Sequence, residues 1–399
     1  MGPSDQSDWL EEGPKLPRHP VFDYKPPPYL KVIRYSLISV VIAALLSLSY
    51  TGLWFFGATQ LRKAVLGWVE MRRSEGVAVT YDRLELSGFP SSLQVLMTAP
   101  KMSRAGFGGQ GAESTGGRLE ASRFLAQAVP WKFNQFDVDL SGELAASFAH
   151  EGKLINYKGA AKRLFSRWIM HGDGLPSAAK IEVKGLGLAH ANGKKGAPPQ
   201  VQVKSLHLTA ERLFPGEITH QTPTFSLKLT GKDLRVPEFI PLPLGQDVSD
   251  LLVLGKILGE LPPSSLVKAL SKWRDGGGTV EVKQIRLRHG PLDVLANGTL
   301  ALDKELQPVG AMTARIRGFF ATVDRLRRAG LIRSRDAAMA KLVLGALARR
   351  PSGGGPSTVS LPLTIQKGKL YAGPVTLAEL PVIDWGGGST AGDKVKILR

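Results

Sequence analysis

A chain of 399 residues with 43% hydrophobic side chains has apolar material for two or three domains, which excludes disorder throughout. Cys 0 excludes a disulfide scaffold, a thiolate nucleophile and Cys-ligated zinc or iron–sulfur sites, while 45 Gly and 27 Pro favour many turns over long helices. Lys and Arg total 52 against 34 Asp and Glu, and the net charge of +18 favours anionic partners without choosing between acidic lipid and nucleic acid.

The first segment, 1–34, holds Pro3, Pro14, Pro17, Pro20, Pro26, Pro27 and Pro28 with few apolar clusters, and reads as a disordered cytosolic tail. From Tyr35 to Leu61 no residue is charged, and Ser36 to Phe56 is dominated by aliphatic and aromatic side chains. At about 1.5 Å per residue this stretch matches the ~30 Å core of a bilayer. A buried core helix would carry a polar stripe, and a cleaved signal peptide would show a small-x-small site after its apolar run. An uncleaved signal anchor is therefore the expectation. Lys15, Arg18, Lys25, Lys31 and Arg34 precede the span and Arg62, Lys63, Arg72 and Arg73 follow it, a slight lean to N-terminus inside. Tyr50, Trp54, Phe55 and Phe56 would then be the outer interfacial anchor. Leu61, Ala64, Val65, Trp68 and Met71 recur at helical spacing, which extends the helix toward Gly76 and makes 35–75 one anchor and stalk.

Beyond it, 76–385 reads as a β-rich exported domain, with a subdomain boundary expected near 240–275, and 386–399 as a disordered tail. Ile181 to Leu188, Val201 to Leu208 and Val280 to Leu287 share the form [IV]-x-V-K-x-[LI]-x-L. In each, the apolar parity switches midway, which a β-bulge or burial on both faces would explain; chance recurrence in a Val/Leu/Lys-rich β protein is the plainer alternative. Asn192-Gly193 and Lys367-Gly368 mark hairpin turns. Period-two runs at Phe225–Leu229, Leu292–Leu302, Met312–Ile316 and Leu363–Val375 add antiparallel strands. Two helical pairs are expected: Val248 to Leu261 with Ser264 to Arg274, and Phe319 to Ala329 with Ser334 to Arg350, hinged at Gly330. The fold class is α+β, an N-terminal transmembrane helix followed by a mainly antiparallel sheet domain with two helical pairs.

Trp273 with Gly276-Gly277-Gly278, "VEVKQIRLRHGPLDV", "NGTLALDKELQPVGAMTARIRGF", "VDRLRRAGLI", "LPLTIQKGKLYAGPVTLAELP" and "LELSGFP" at Leu84 to Pro90 together resemble an alphaproteobacterial family, domain of unknown function 2125. That resemblance implies a single-span exported protein and carries no chemistry. The repeated β pattern behind one anchor is more loosely similar to AsmA-type envelope proteins, which are associated with lipid movement between membranes; that likeness is one of fold only.

Gly106 to Gly111 satisfies G-x-G-x-x-G, but no apolar helical face follows it, so a loop is the better reading. The histidines His19, His150, His171, His190, His207, His220 and His289 form no i, i+2 or i, i+4 pair, and neither His150-Glu151 nor His171-Gly172-Asp173 reads as a site. Asp137 and Asp139 share a strand face without a third oxygen ligand, and Asn297-Gly298-Thr299 reads as a hairpin turn. No nucleophile elbow, zinc-protease helix or P-loop occurs, so no catalytic residue, metal ligand or cofactor is expected. Between Arg315 and Arg350 ten Lys or Arg oppose Asp324 and Asp336, a net of +8. In an exported domain the anion would be a lipid headgroup or acidic protein rather than nucleic acid, and Arg325, Arg327, Arg328 and Arg333 are the candidate anion-binding residues.

The expectation is a non-enzymatic protein of the bacterial inner membrane, single-span, N-terminus cytosolic and main domain periplasmic, binding lipid or other apolar ligands on an amphipathic sheet. A structural or assembly factor of the envelope and an unrecognised hydrolase are the alternatives.

Overall fold

The computed structural model describes residues 28–104, 117–132, 134–150, 153–193, 198–238, 240, 242–350, 355–373, 375–380, 382–383 and 385. Residues 1–27 and 386–399 of the expected tails, the glycine loop 106–111 and Glu151 lie outside them. The chain forms two compact units, Met1–Leu53 and Trp54–Arg399.

Helix α1 (Pro28–Ser74) runs through both. Its part in the first unit exposes Leu37, Val40, Leu45, Leu46 and Leu48. The hydroxyls of Ser36, Ser39 and Thr51 donate back to the carbonyls of Ile33, Tyr35 and Ser47, so these three polar side chains are satisfied within the helix. Among the described residues this is the one helix long and apolar enough to cross a membrane, consistent with a single-span anchor.

In the second unit α1 changes role. Trp54, Ala58, Leu61, Val65 and Val69, spaced by three or four, pack on Val79, Leu93, Val95, Met97 and Ala126 of the sheet. Trp54 is only 4% exposed, and its indole N–H donates to the Ser92 carbonyl at 2.8 Å. This corrects its assignment to an outer membrane anchor: a buried partner for the indole outweighs the pattern of neighbouring aromatics, while Phe55 and Phe56 remain exposed. The helix ends at Ser74 and Gly76 takes φ +79°, the left-handed residue that terminates helices.

The strand segments are β1 (Val77–Thr80), β2 (Arg83–Ser87), β3 (Leu93–Thr98), β4 (Lys101–Arg104), β5 (Gly117–Ala121), β6 (Arg123–Ala128), β7 (Gln135–Asp139), β8 (Gly142–His150), β9 (Lys153–Met170), β10 (Pro176–His190), β11 (Val201–Arg212), β12 (Pro223–Arg235), β13 (Asp247–Leu258), β14 (Thr279–His289), β15 (Leu292–Leu302), β16 (Pro308–Arg317), β17 (Val359–Gln366), β18 (Lys369–Ala372) and β19 (Val375–Glu379). They form one antiparallel sheet, with α2 (Leu266–Asp275), α3 (Phe319–Arg328) and α4 (Ser334–Leu347) inserted between strands. From β9 to β19 each strand pairs with the next in sequence. Before β9 the segments join end to end: β3 and β4 face β6 and β5 at a single register, Thr98 opposite Arg123 and Lys101 opposite Glu120. β1 with β2, β3 with β4, β5 with β6 and β7 with β8 thus act as four interrupted strands, and the sheet is a meander in chain order.

The interruptions align. Ala99 at φ +48° sits in the break between β3 and β4, Ser141 in that between β7 and β8, then Gly185 at φ +56° in β10 and Asp233 at φ +48° in β12. Gly185 and Lys204 lie at one level of the β10–β11 ladder, flanked by the pairs Lys184–Ser205 and Leu186–Val203. The parity switch of the first two sequence copies is this crease, whereas in the third it is a bulge, Lys283 and Gln284 falling between the pairs Val282–Gly298 and Ile285–Ala296. Asn297-Gly298 is accordingly mid-strand in β15 rather than a turn. A Cβ on Gly298 would lie 2.2 Å from the Ala311 carbonyl oxygen, so the close approach of β16 requires glycine there.

The second helical pair is present as expected, and Gly330 takes φ +74° between α3 and α4. Of the first pair only α2 is helical. Val248 to Leu258 lies in β13, whose run Leu251-Leu252-Val253-Leu254 fits a helix or a strand half-buried on both faces equally well by periodicity. β12, β13 and β14 carry the sheet unbroken past residues 240–275. Both glycine-containing motifs seat tryptophans. "LELSGFP" makes the β2–β3 turn under Trp54, whose ring meets Phe89 edge-on at 5.4 Å, and Trp273 of α2 donates to the Leu258 carbonyl at 2.7 Å across Gly278, where a Cβ would lie 2.4 Å from the indole nitrogen.

Candidate functional site

Cross-strand partners in an antiparallel sheet share a face, so the register places side chains in rows. One row runs Leu164, Val183, Leu206, Gly231, Leu251, Leu287, Val294, Ile316, Val359 from β9 to β17. The row two residues along runs Ser166, Ile181, Leu208, Leu229, Val253, Ile285, Ala296, Ala314, Leu361 on the same face. The residues between them, on the other face, include Glu182, His207, Thr230, Arg286, Arg315 and Ser360. One face is thus apolar over nine strands and the other mainly polar, Phe165, Leu252 and Leu295 being the apolar members of the intervening row.

In these two rows only Val183, Gly231, Ala296, Ala314 and Val359 are fully buried, and the other members are half-buried. The cluster around Ala296, Ala314 and Leu363 is drawn from β14 to β18, and that around Ala146, Tyr157 and Leu188 from β8 to β11, with no helix residue in either. The β1–β6 end has a second layer, the α1 stripe, and at the other end α3 touches β15 and α4 touches β17, where Val359 is fully buried. α2 is tied to Leu258 at one end of β13, while α3 lies near Gly290 at the other end of β14. A sheet face normally gains stability by packing on another layer, at about 25 cal/mol per Å² of apolar surface removed from water. Here no element of the described chain supplies that layer over the middle strands.

The candidate anion-binding arginines are placed together on the α3–α4 hairpin but differ in setting. The guanidinium of Arg325 lies over two turns, within 3.1 Å of where a Cβ on Gly245 would stand and 3.3 Å for Gly290. Arg327 and Arg328 lie beside Asp324, whose carboxyl also pairs with Lys341 of α4 at 2.6 Å and is held below its ordinary range chiefly by that hydrogen bond. Arg333 precedes α4 and has no ion-pair partner among the described residues.

The other candidates have structural partners. Asp137 makes a two-point ion pair with Arg167, and Asp139 accepts from the Ser141 N–H at 2.7 Å in the β7–β8 break. Among the described residues no group of three or more His, Asp or Glu is gathered to hold a metal. Asp173 in the β9–β10 turn accepts from Arg212 and from the Leu175 N–H, and Arg212 first of all lowers its pKa from 3.8 to about 2. A depressed carboxyl stabilises the fold above its unfolded value and loses that contribution as pH falls through its folded value. Protection of the His171 to Leu175 amides, taken relative to their intrinsic exchange rates, should therefore fall between about pH 4 and 2. In Asp173→Asn the protection should be low across that range; equal acid sensitivity of variant and wild type would overturn the assignment.

Sequence reasoning missed the rows themselves. Their only signal was the recurring V-K-x-L form, which marks strands of one length without giving their register.

No curated protein and no solved structure matches this chain. One family does, over residues 54–381: it begins at Trp54, the first residue of the second compact unit, and ends just past β19. The chain therefore belongs to the family described as "Uncharacterized protein conserved in bacteria", domain of unknown function 2125.

Proposed function

We propose that the protein is a non-enzymatic, membrane-anchored envelope protein that holds lipid or similar apolar molecules against the uncovered face of its sheet. The observation that carries the reading is the pair of apolar rows from β9 to β17, over whose middle strands no element of the described chain lays a second layer. Acyl chains would lie along Leu208, Leu229, Val253 and Ile285, and Arg325, Arg327, Arg328 and Arg333 at the α3 end would hold headgroup phosphates through paired hydrogen bonds. In this reading the N-terminus is cytosolic and the sheet periplasmic.

Native mass spectrometry of the full chain released from detergent, with lipid extraction, tests it. Wild type should retain phospholipid under conditions that strip lipid from a Leu229→Glu, Ile285→Glu variant, which places two carboxylates in the second row. Circular dichroism must show the sheet intact in the variant. No retained lipid in wild type, or equal retention by a folded variant, would refute the reading. The second reading, an assembly factor, is favoured by one observation: β19 is exposed along its whole length, Val375 and Leu377 included, and among the described residues its one ladder is with β18 on one side.

A further inference from the structure

The outer face of α4 carries an apolar stripe that no element among the described residues covers. Met339, Leu342, Val343, Ala346 and Leu347 follow helical spacing and are all exposed, Leu342 by 70%. The inner face is occupied by other groups: Ala337 is buried, Lys341 reaches Asp324 of α3, and Phe320 packs against Gly345, where a Cβ would be 3.6 Å from its ring. The stripe is therefore additional to what holds the hairpin together, and Leu331 of the α3–α4 turn is likewise 58% exposed.

Its surroundings are cationic. Arg333 and Arg335 stand at the start of α4, Arg349 and Arg350 just beyond its end, and none has an ion-pair partner among the described residues. Asp336 is the one acid on the helix. A second copy would bring these arginines against their equals, which disfavours self-association through this face. An anionic bilayer meets both halves of the pattern, since apolar side chains of a helix lying flat enter the acyl boundary while arginines at both ends reach phosphates. We propose that α4 docks in the headgroup layer of an anionic bilayer, a second membrane contact besides α1. This does not depend on whether the sheet carries lipid.

The absence of cysteine makes the test direct. The full chain with Val343→Cys, labelled with a polarity-sensitive fluorophore and held in phosphatidylcholine nanodiscs, is mixed with vesicles containing phosphatidylglycerol; a second sample uses phosphatidylglycerol nanodiscs alone. A blue shift with quenching by brominated lipid, in either arrangement, is the expected result. It should be absent with phosphatidylcholine alone, absent for a label at Asn192→Cys, and reduced by raised salt. Arg335→Gln, Arg349→Gln, Arg350→Gln together should weaken the interaction about a hundredfold, the scale for three basic residues at an anionic surface. No shift at Val343 with any anionic lipid, an equal shift in phosphatidylcholine, or a shift that grows with protein concentration without vesicles would overturn the proposal, the last in favour of a protein contact. Lipid retention in mass spectrometry can fail while this shift persists, so the two readings are separable.

Discussion

Trp54→Ala is expected to destabilise the second compact unit by about 3–5 kcal/mol, the scale for truncating a buried tryptophan. The side chain is 4% exposed, fills the space between α1 and the β2–β3 turn, and donates to the Ser92 carbonyl. With domain stabilities of about 5–15 kcal/mol, this removes a large share of the total. Trp54→Phe separates the two contributions: most of the packing remains, but the Ser92 carbonyl is left without its donor, at a cost of about 1–3 kcal/mol. Urea unfolding of the full chain in detergent, followed by near-ultraviolet circular dichroism, gives both values. A Trp54→Ala midpoint close to wild type would mean that Trp54 does not hold α1 to the sheet.

Leu45→Arg should weaken membrane insertion by about 2.5–3.5 kcal/mol, the cost of arginine at the centre of a spanning helix on insertion scales. Leu45 is exposed in the first unit, amid side chains that water would not favour. After a carbonate wash the variant should partition less completely with membranes than wild type. Full retention would show that other parts of the chain suffice, α4 being the first to examine by combining Leu45→Arg with Leu342→Gln and Val343→Gln. The variant is not expected to alter the sheet, since Leu45 lies outside the unit that contains it.

Strands alternating polar and apolar residues were legible from sequence, as were α3, α4 and the turn at Lys367-Gly368, where φ is +50° and +68°. β13 was not, because Leu251 to Leu254 is apolar without period. The crease was visible only as a parity switch at Lys184-Gly185 and Lys204-Ser205, since a sequence does not disclose which interruptions fall beside one another. The same limit applies to the candidate site. Leu208, Leu229, Val253 and Ile285 are far apart in the chain and become one row only when several registers are fixed at once. Likewise the basic residues of α3 and α4 could be counted, but not the exposure of Leu342, because a helix apolar on two sides does not reveal which side is covered.

A meander in chain order has a consequence for how such a sheet is made and varied. From β9 onward each strand joins the one before it, across α2 and the α3–α4 hairpin as well as across turns: when a strand leaves the ribosome or a translocation channel, the edge it joins is already complete. Growth is then nearly one-dimensional, as in stacked repeat proteins, with each addition stabilised by its neighbour alone. Inserting or deleting one hairpin would lengthen or shorten both apolar rows by two positions without reversing any other strand or moving any other turn. The length of the uncovered face is thus set by a count of hairpins, a quantity that gene duplication or loss can change in single steps.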